Sequence, residues 1–219
     1  MKKFLFCWSM MLMVLASNMV FVGCTEDEKE PPSLEPIVLD LYKGENATLT
    51  YKGGKCTWSS DEPAIASVSN TGIVTGNLVG STQIHANKFS CCVTVYPKYN
   101  TYEEPYISWG SSINTVDAVN DNKNERLQYD KKGLIYKGKG NANSYIYLFE
   151  NEKLSSSAVL IDISHMEEVI EFLSERYIPI GSDDTNSFSF TFIDYKKTMG
   201  ISLNLYSVKY LQIVYFPLN

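Results

Sequence analysis

Beyond residue 36 the chain alternates apolar and polar positions in short runs. Val38-Leu39-Asp40-Leu41, Ala47-Thr48-Leu49-Thr50-Tyr51 and Cys56-Thr57-Trp58 come first. Ala64 to Val68, Ile73-Val74-Thr75, Thr82 to Ala86 and Cys91 to Tyr96 follow. Turn signals separate them at Lys43-Gly44-Glu45-Asn46, Gly53-Gly54 and Ser59-Ser60-Asp61-Glu62-Pro63. Side chains of a strand point alternately to opposite faces, so short alternating runs between turns predict half-buried strands packed as a small β-sandwich. Ile65, Val68, Val74, Ile84, Val93 and Val95 are expected to face its core. Gly72 and Gly76 suit turn positions with positive φ.

After a short connector, Tyr99 to Pro105, the pattern changes. Ile113, Val116 and Val119 behind Ser112 predict a short capped helix. Arg126 to Tyr129, Gly133 to Lys137, Ser144 to Phe149 and Leu154 to Ile163 read as strands, joined by hairpin turns at Asp130-Lys131-Lys132-Gly133 and Glu150-Asn151-Glu152-Lys153. Ser164-His165-Met166-Glu167 has the form of a capping box, and Met166, Val169, Ile170, Leu173 and Tyr177 follow at helical spacing. Pro179 and Gly181 are expected to end that helix. Phe188, Phe190 and Phe192, then Ile201, Leu203 and Leu205, then Leu211, Ile213 and Tyr215 mark three closing strands. Helix, strands, helix, strands predicts an α+β domain with an antiparallel sheet and helices on one face. The order is similar to the duplicated αβββ-αβββ arrangement of β-lactamase inhibitor proteins.

The N-terminus follows a different rule. Lys2 and Lys3 precede Phe4 to Gly23, a run in which only Ser9, Ser17 and Asn18 are polar. A basic start, an apolar run and small residues form a secretory signal. The run is also long enough for a permanent membrane anchor, although no basic stop follows it. Phe21-Val22-Gly23-Cys24 resembles the lipobox of bacterial lipoproteins, which implies cleavage before Cys24 and acylation of its thiol. Thr25-Glu26-Asp27-Glu28-Lys29-Glu30 resembles the acidic stretch after the cysteine in surface lipoproteins of Bacteroidetes, which implies display on the outer face. Pro31, Pro32 and Pro36 stiffen the tether.

The string TWSSDEPAIASVSNTGIVTGNLVGSTQIHA, followed by CCVTV, resembles the bacterial Ig-like domain, group 2. Trp58, Ser59, Ser60 and Asp61 come first, then Ala66 and Val68, then Gly72, Val74, Thr75 and Gly76, then Gly80, Thr82 and Ile84. The resemblance spans residues 35 to 97 and implies a spacer or binding module of surface and adhesion proteins.

Charge narrows the partners. The formal net charge of −6 becomes −8 once Lys2 and Lys3 leave with the signal, which argues against nucleic acid or anionic lipid heads as ligands. Of the cysteines, Cys7 leaves with the signal and Cys24 is assigned to lipid. Cys56, Cys91 and Cys92 remain, enough for one bridge and one free thiol. Cys56 shares a strand face with Trp58, and Cys91 with Val93 and Val95, so a Cys56–Cys91 bridge is expected; three reduced thiols are the alternative.

Catalytic constellations are missing. Tyr51 to Thr57 lacks the first glycine of a phosphate loop and carries Cys56 in place of its hydroxyl residue. His165 with Glu167 and Glu168 has no second histidine at zinc-site spacing. Asp183 and Asp184 read as a solvated turn, Asp121 to Glu125 lacks calcium-loop spacing, and Ser155 to Ser157 have no neighbouring histidine. No metal or cofactor is implied. An aromatic surplus remains: Tyr106, Tyr129, Tyr136, Tyr145 and Tyr147 are the candidate binding residues, because a tyrosine joins a large apolar face to a polar tip. Ordinary sheet packing is the competing explanation.

The expectation is thus a mainly β chain: signal peptide 1–23, acidic, proline-bearing tether 24–35, Ig-like sandwich 36–98 and α+β domain 99–219. Its expected role is a lipid-anchored outer-membrane protein, exposed at the surface, that presents a recognition domain to a glycan or protein. A subunit of a surface assembly and an enzyme acting on envelope polysaccharide are the rivals.

Overall fold

The computed structural model describes residues 30–121, 123–183 and 188–218; Cys24 and the signal lie outside them. The chain is mainly β. Its first part runs β1 (Ser33–Glu35), β2 (Val38–Tyr42), β3 (Asn46–Thr48), β4 (Thr50–Lys52), β5 (Trp58–Ser60), β6 (Ala66–Val68), β7 (Ile73–Gly76), β8 (Gly80–Ala86) and β9 (Phe89–Tyr96). One sheet has the order β2-β9-β8-β5, the other β3-β7-β6, and β1 pairs with β4. Their inward positions are those the alternation predicts: Val74, Ile84, Val93 and Val95 are buried together with Leu41, Leu49 and Ile65, and Val68 packs against them. Ser33–Glu35, assigned to the tether by composition, is instead a strand, and Leu34 is in this core.

Two glycines show two separate constraints. Gly72 has φ 83°, and a Cβ there would lie 2.5 Å from the Leu49 carbonyl oxygen and 2.8 Å from the Trp58 ring. Gly76, expected at positive φ, is not in that region. It is required by proximity, since its Cβ would sit 2.9 Å from the Tyr42 carbonyl oxygen.

The second part runs α1 (Ile113–Asp121), β10 (Arg126–Asp130), β11 (Gly133–Lys137), β12 (Ala142–Glu150), β13 (Lys153–Asp162), α2 (Met166–Arg176), β14 (Ile178–Asp183), β15 (Ser189–Ile193), β16 (Met199–Leu205) and β17 (Tyr210–Pro217). A helix and four strands are thus repeated, with the sheet order β10-β11-β12-β13-β17-β16-β15-β14. The two meanders meet antiparallel at β13 and β17, from Ser157 opposite Tyr215 to Asp162 opposite Tyr210. Val116 of α1 and Val169, Phe172 and Leu173 of α2 share a core with Tyr145, Tyr147, Val159, Ile161, Leu211, Ile213 and Tyr215. The antiparallel sheet and its helices agree with expectation. The three-strand count of the second repeat does not, because β14 carries Pro179. That proline is tolerated because β14 is a sheet edge.

The expected capping box does not form either. The α2 N-cap is His165, with no side-chain cap bond; Asp162 instead accepts from the Ser164 backbone N–H and holds a 3₁₀ turn ahead of the helix.

The C-terminal end of α2 joins the two cores. Glu175 is 3% exposed, and its carboxylate accepts from the backbone N–H groups of Lys98 (3.0 Å to both oxygens) and Tyr99 (3.1 Å). The Glu175 carbonyl accepts from Val79 N–H at 2.8 Å. The Ser174 carbonyl accepts from Lys43 Nζ at 2.5 Å. The last carbonyls of a helix have no partners within it, and a cation suits that end of the dipole, so the first part of the chain caps α2. Arg176 donates to the Tyr99 carbonyl at 3.1 Å and lies 3.7 Å above the Phe172 ring. From the other side Tyr195 packs against the first core.

The expected Cys56–Cys91 bridge is absent: Cys56, Cys91 and Cys92 are free thiols. The register supplies the reason. Cys91 is opposite Ile84, and Ile84 opposite Ser60, so Cys91 is level with Ser60 and not with Cys56. Four residues along a strand span about 13 Å, beyond the ~7 Å a disulfide can bridge. Burial pushes the Cys91 thiol up to about 11.

Two outcomes are expected. Glu175→Ala lowers the urea-unfolding free energy by about 2–4 kcal/mol, because two backbone donors lose a charged acceptor; Glu175→Gln loses less. In native protein, a maleimide leaves Cys91 unmodified until denaturant is added, as peptide mass mapping reports, whereas a Cys56–Cys91 disulfide peptide contradicts the register.

Candidate functional site

Strand alternation turns Tyr145 and Tyr147 of β12 toward the helices, and the segment Glu103–Tyr106 crosses above them. With the end of α1 and the turn after it, these residues enclose a cavity of about 110 Å³ lined by Glu103, Glu104, Pro105, Tyr106, Val119, Asn120, Lys123, Asn124, Tyr145 and Tyr147. The walls are tied together. Tyr147 donates to Asn120 Oδ1 at 3.0 Å, and Asn120 Nδ2 donates back to the Val116 carbonyl at 2.8 Å. Tyr145 donates to the Glu103 carbonyl at 2.9 Å, and Ser157 Oγ to the Tyr106 carbonyl at 2.6 Å. Burial pushes both Tyr145 and Tyr147 up to about 12, with Glu103 adding to the rise in each. They therefore stay neutral donors at any physiological pH.

One wall atom has no partner. Asn124 Oδ1 is shielded from solvent and accepts no hydrogen bond among the described residues. At the mouth, Lys123 Nζ is 3.7 Å from the Glu103 carboxylate, both side chains being exposed. Glu104 faces inward with one oxygen, Oε1, which accepts from Tyr177 at 2.5 Å and from Tyr215 at 3.4 Å. Tyr215 and Tyr102 share a hydrogen bond of 2.6 Å in the core. Burial raises both of these phenols and Tyr177, with Glu104 contributing to each rise.

The structure brings together three of the five candidate tyrosines. Tyr106, Tyr145 and Tyr147 line the cavity. Tyr136 is fully buried, edge-on to Tyr147 at 6.1 Å, and donates to Asp117; it is a core residue and cannot touch a ligand. Tyr129 is half exposed on the edge strand β10, stacked by Arg126 at 5.2 Å, away from the cavity. Sequence reading missed Glu103, Glu104, Asn120 and Asn124 as lining residues. Asn120 carried a signal: it falls one helical turn after Val116, on the apolar stripe of α1.

Two other depressions differ in character. Gly140, Asn141, Ala142, Asn143, Asp162, His165, Lys209 and Tyr210 line an open one of about 310 Å³. On the first part of the chain Asp61, Glu62, Ser81, Thr82, Gln83 and Cys92 line another, without an aromatic residue. Among the described residues no group of three His, Cys, Asp or Glu side chains is placed to hold a metal ion.

Asp117 supports the cavity from behind. Burial would raise its carboxyl, but hydrogen bonds from Tyr136 and Arg126 outweigh burial and lower it; Arg126 is bound at 2.7 and 2.6 Å. A lowered native value means stability that is present above the ordinary carboxylate range and lost as pH falls through the native value. Asp117→Asn therefore costs about 1–3 kcal/mol at pH 7, and its difference from wild type shrinks to zero in acid, as urea melts across pH report.

No helix among the described residues is long and apolar enough to cross a membrane. No curated protein matches the chain. Residues 44–88 match the family model of the bacterial Ig-like domain (group 2). That segment covers β3 to β8 and holds the Trp58, Gly72 and Ile84 positions that build the first core. This segment of the N-terminal β-sandwich is therefore similar to the bacterial Ig-like domain of group 2, a likeness that points to a binding or spacer role.

Proposed function

We propose that this is a lipid-anchored protein of the cell envelope, exposed at its surface, in which the Ig-like domain (residues 36–98) presents residues 99–219 as a recognition domain for a glycan or protein. Acyl chains on Cys24 hold it to the outer membrane, each buried methylene contributing about 0.8 kcal/mol. The acidic residues after Cys24 extend the tether toward the exterior. The observation that carries the recognition role is the cavity of Tyr106, Tyr145 and Tyr147 with its unpaired acceptor Asn124 Oδ1. It lies on the second part of the chain, whereas the depression on the Ig-like sandwich has only small and polar walls.

A second reading, a subunit of a surface assembly, draws on the outer face of the large sheet. Ile135, Ile146, Ala158 and Val214 stand side by side across four strands there, and Leu148 is half exposed nearby. An apolar row of this kind suits contact with another subunit.

Two experiments separate these readings. Cells fed a clickable palmitate analogue label the wild-type chain and not Cys24→Ala, which leaves the membrane fraction; persistent labelling of the variant removes the lipid anchor. On a glycan array and a panel of envelope proteins, Tyr106→Ala lowers capture by the mature chain at least tenfold, and Gln83→Ala leaves it unchanged. The reverse pattern makes the Ig-like domain the binding module, and self-association lost on Leu148→Lys supports the assembly.

A further inference from the structure

We infer that the cavity beneath Glu103–Tyr106 is a socket for one protonated lysine side chain of a protein partner. The inference rests on the recognition role proposed above and names its ligand class. Volume makes the first distinction. Sites for whole small molecules run from about 300 Å³ upward, and the cavity measures about 110 Å³. A hexose with its hydroxyl groups is too large for it, whereas the butylammonium end of a lysine fits.

The lining makes the second distinction. The hydroxyl donors of Tyr145 and Tyr147 and an amide hydrogen of Asn120 are already spent within the protein: Tyr145 on Glu103, Tyr147 on Asn120, Asn120 on Val116. Besides Lys123 at the mouth, the groups left over include three acceptors. Asn124 Oδ1 has no partner among the described residues. Glu104 holds its tyrosines through Oε1, which leaves Oε2 to a ligand. Glu103 has only the long 3.7 Å contact with Lys123. An ammonium offers three donors and no acceptor, the complement of such a wall, and the two carboxylates against one lysine leave a net negative rim. Pro105, Val119 and Tyr106 supply apolar surface for the methylene stem, which a lysine buries while its charge meets polar groups. A neutral hydroxyl ligand would leave the carboxylates uncompensated.

The test uses the mature chain, residues 24–219 with Cys24→Ser, labelled with ¹⁵N. The probes are the peptide acetyl-Gly-Gly-Lys-Gly-Gly-amide, its Nε-acetylated form, glucosamine and N-acetylglucosamine. The lysine peptide is expected to shift the Asn124 side-chain amide and the Tyr106 backbone amide in a saturable way, and the acetylated peptide to shift neither. Asn124→Leu weakens binding at least fivefold. Asn124→Asp, which keeps the shape and adds charge, strengthens it severalfold, so the outcome does not depend on one variant's folding. Silence of these resonances with the lysine peptide overturns the socket, as does an equal response to the acetylated peptide. A stronger response to either sugar overturns it in favour of a glycan subsite. In each of these cases the recognition role stands or falls separately, on whether Tyr106→Ala still lowers capture on the array.

Discussion

The carboxylate of Glu175 governs how the molecule is put together. A charge buried to 3% exposure is costly unless it is paired and hydrogen-bonded. A negative charge at the C-terminal end of a helix also meets the dipole with the wrong sign. Both costs are offset by the N–H groups of Lys98 and Tyr99, which belong to the chain leaving the Ig-like sandwich, and by the neighbouring Arg176 of the same helix at 3.7 Å. The same helix end gives its last carbonyls to Lys43 and Val79. Lys43, Val79, Lys98 and Tyr99 are all residues that a freely swinging linker would carry away. The joint is therefore a fixed one, and an Ig-like sandwich attached in this way can act as a rigid arm.

That rigidity sets up the candidate site. The chain leaves the joint at Tyr99, is pinned by Tyr102 between Phe172 and Tyr215, and then roofs the cavity with Glu103–Tyr106. The tyrosines beneath are neutral, held by defined hydrogen bonds and packed into one core. Recognition groups held by a rigid framework lose little freedom when a ligand arrives. The repeated helix and four strands contribute the sheet on which this is built, with β13 and β17 at its centre.

Much of this was legible in the alternation. The sandwich core from Ile65 to Val95, the hairpins of the first meander and the apolar stripe of α2 all follow from residue spacing. The failures have physical causes. Leu34 was hidden inside a proline-rich, polar stretch whose composition resembles a tether. Pro179 argued for a helix stop and was tolerated in β14 only because that strand is an edge, a property of topology and not of local sequence. Cys56 and Cys91 do share a face, but the register that separates them by four residues is a tertiary fact. Tyr136 and Tyr147 are chemically alike and lie on adjacent strands; which one borders a cavity depends on where Glu103–Tyr106 crosses. Glu175 gave no sign at all, because an acidic residue in a helical turn reads as solvated.

The described residues of 33–96 and 113–217 are held as one rigid body through Glu175. Residual dipolar couplings of backbone amides measure this directly. A single alignment tensor is predicted to fit both segments of the wild-type chain, and Glu175→Ala to split it into two. Two tensors in the wild type would contradict the claim.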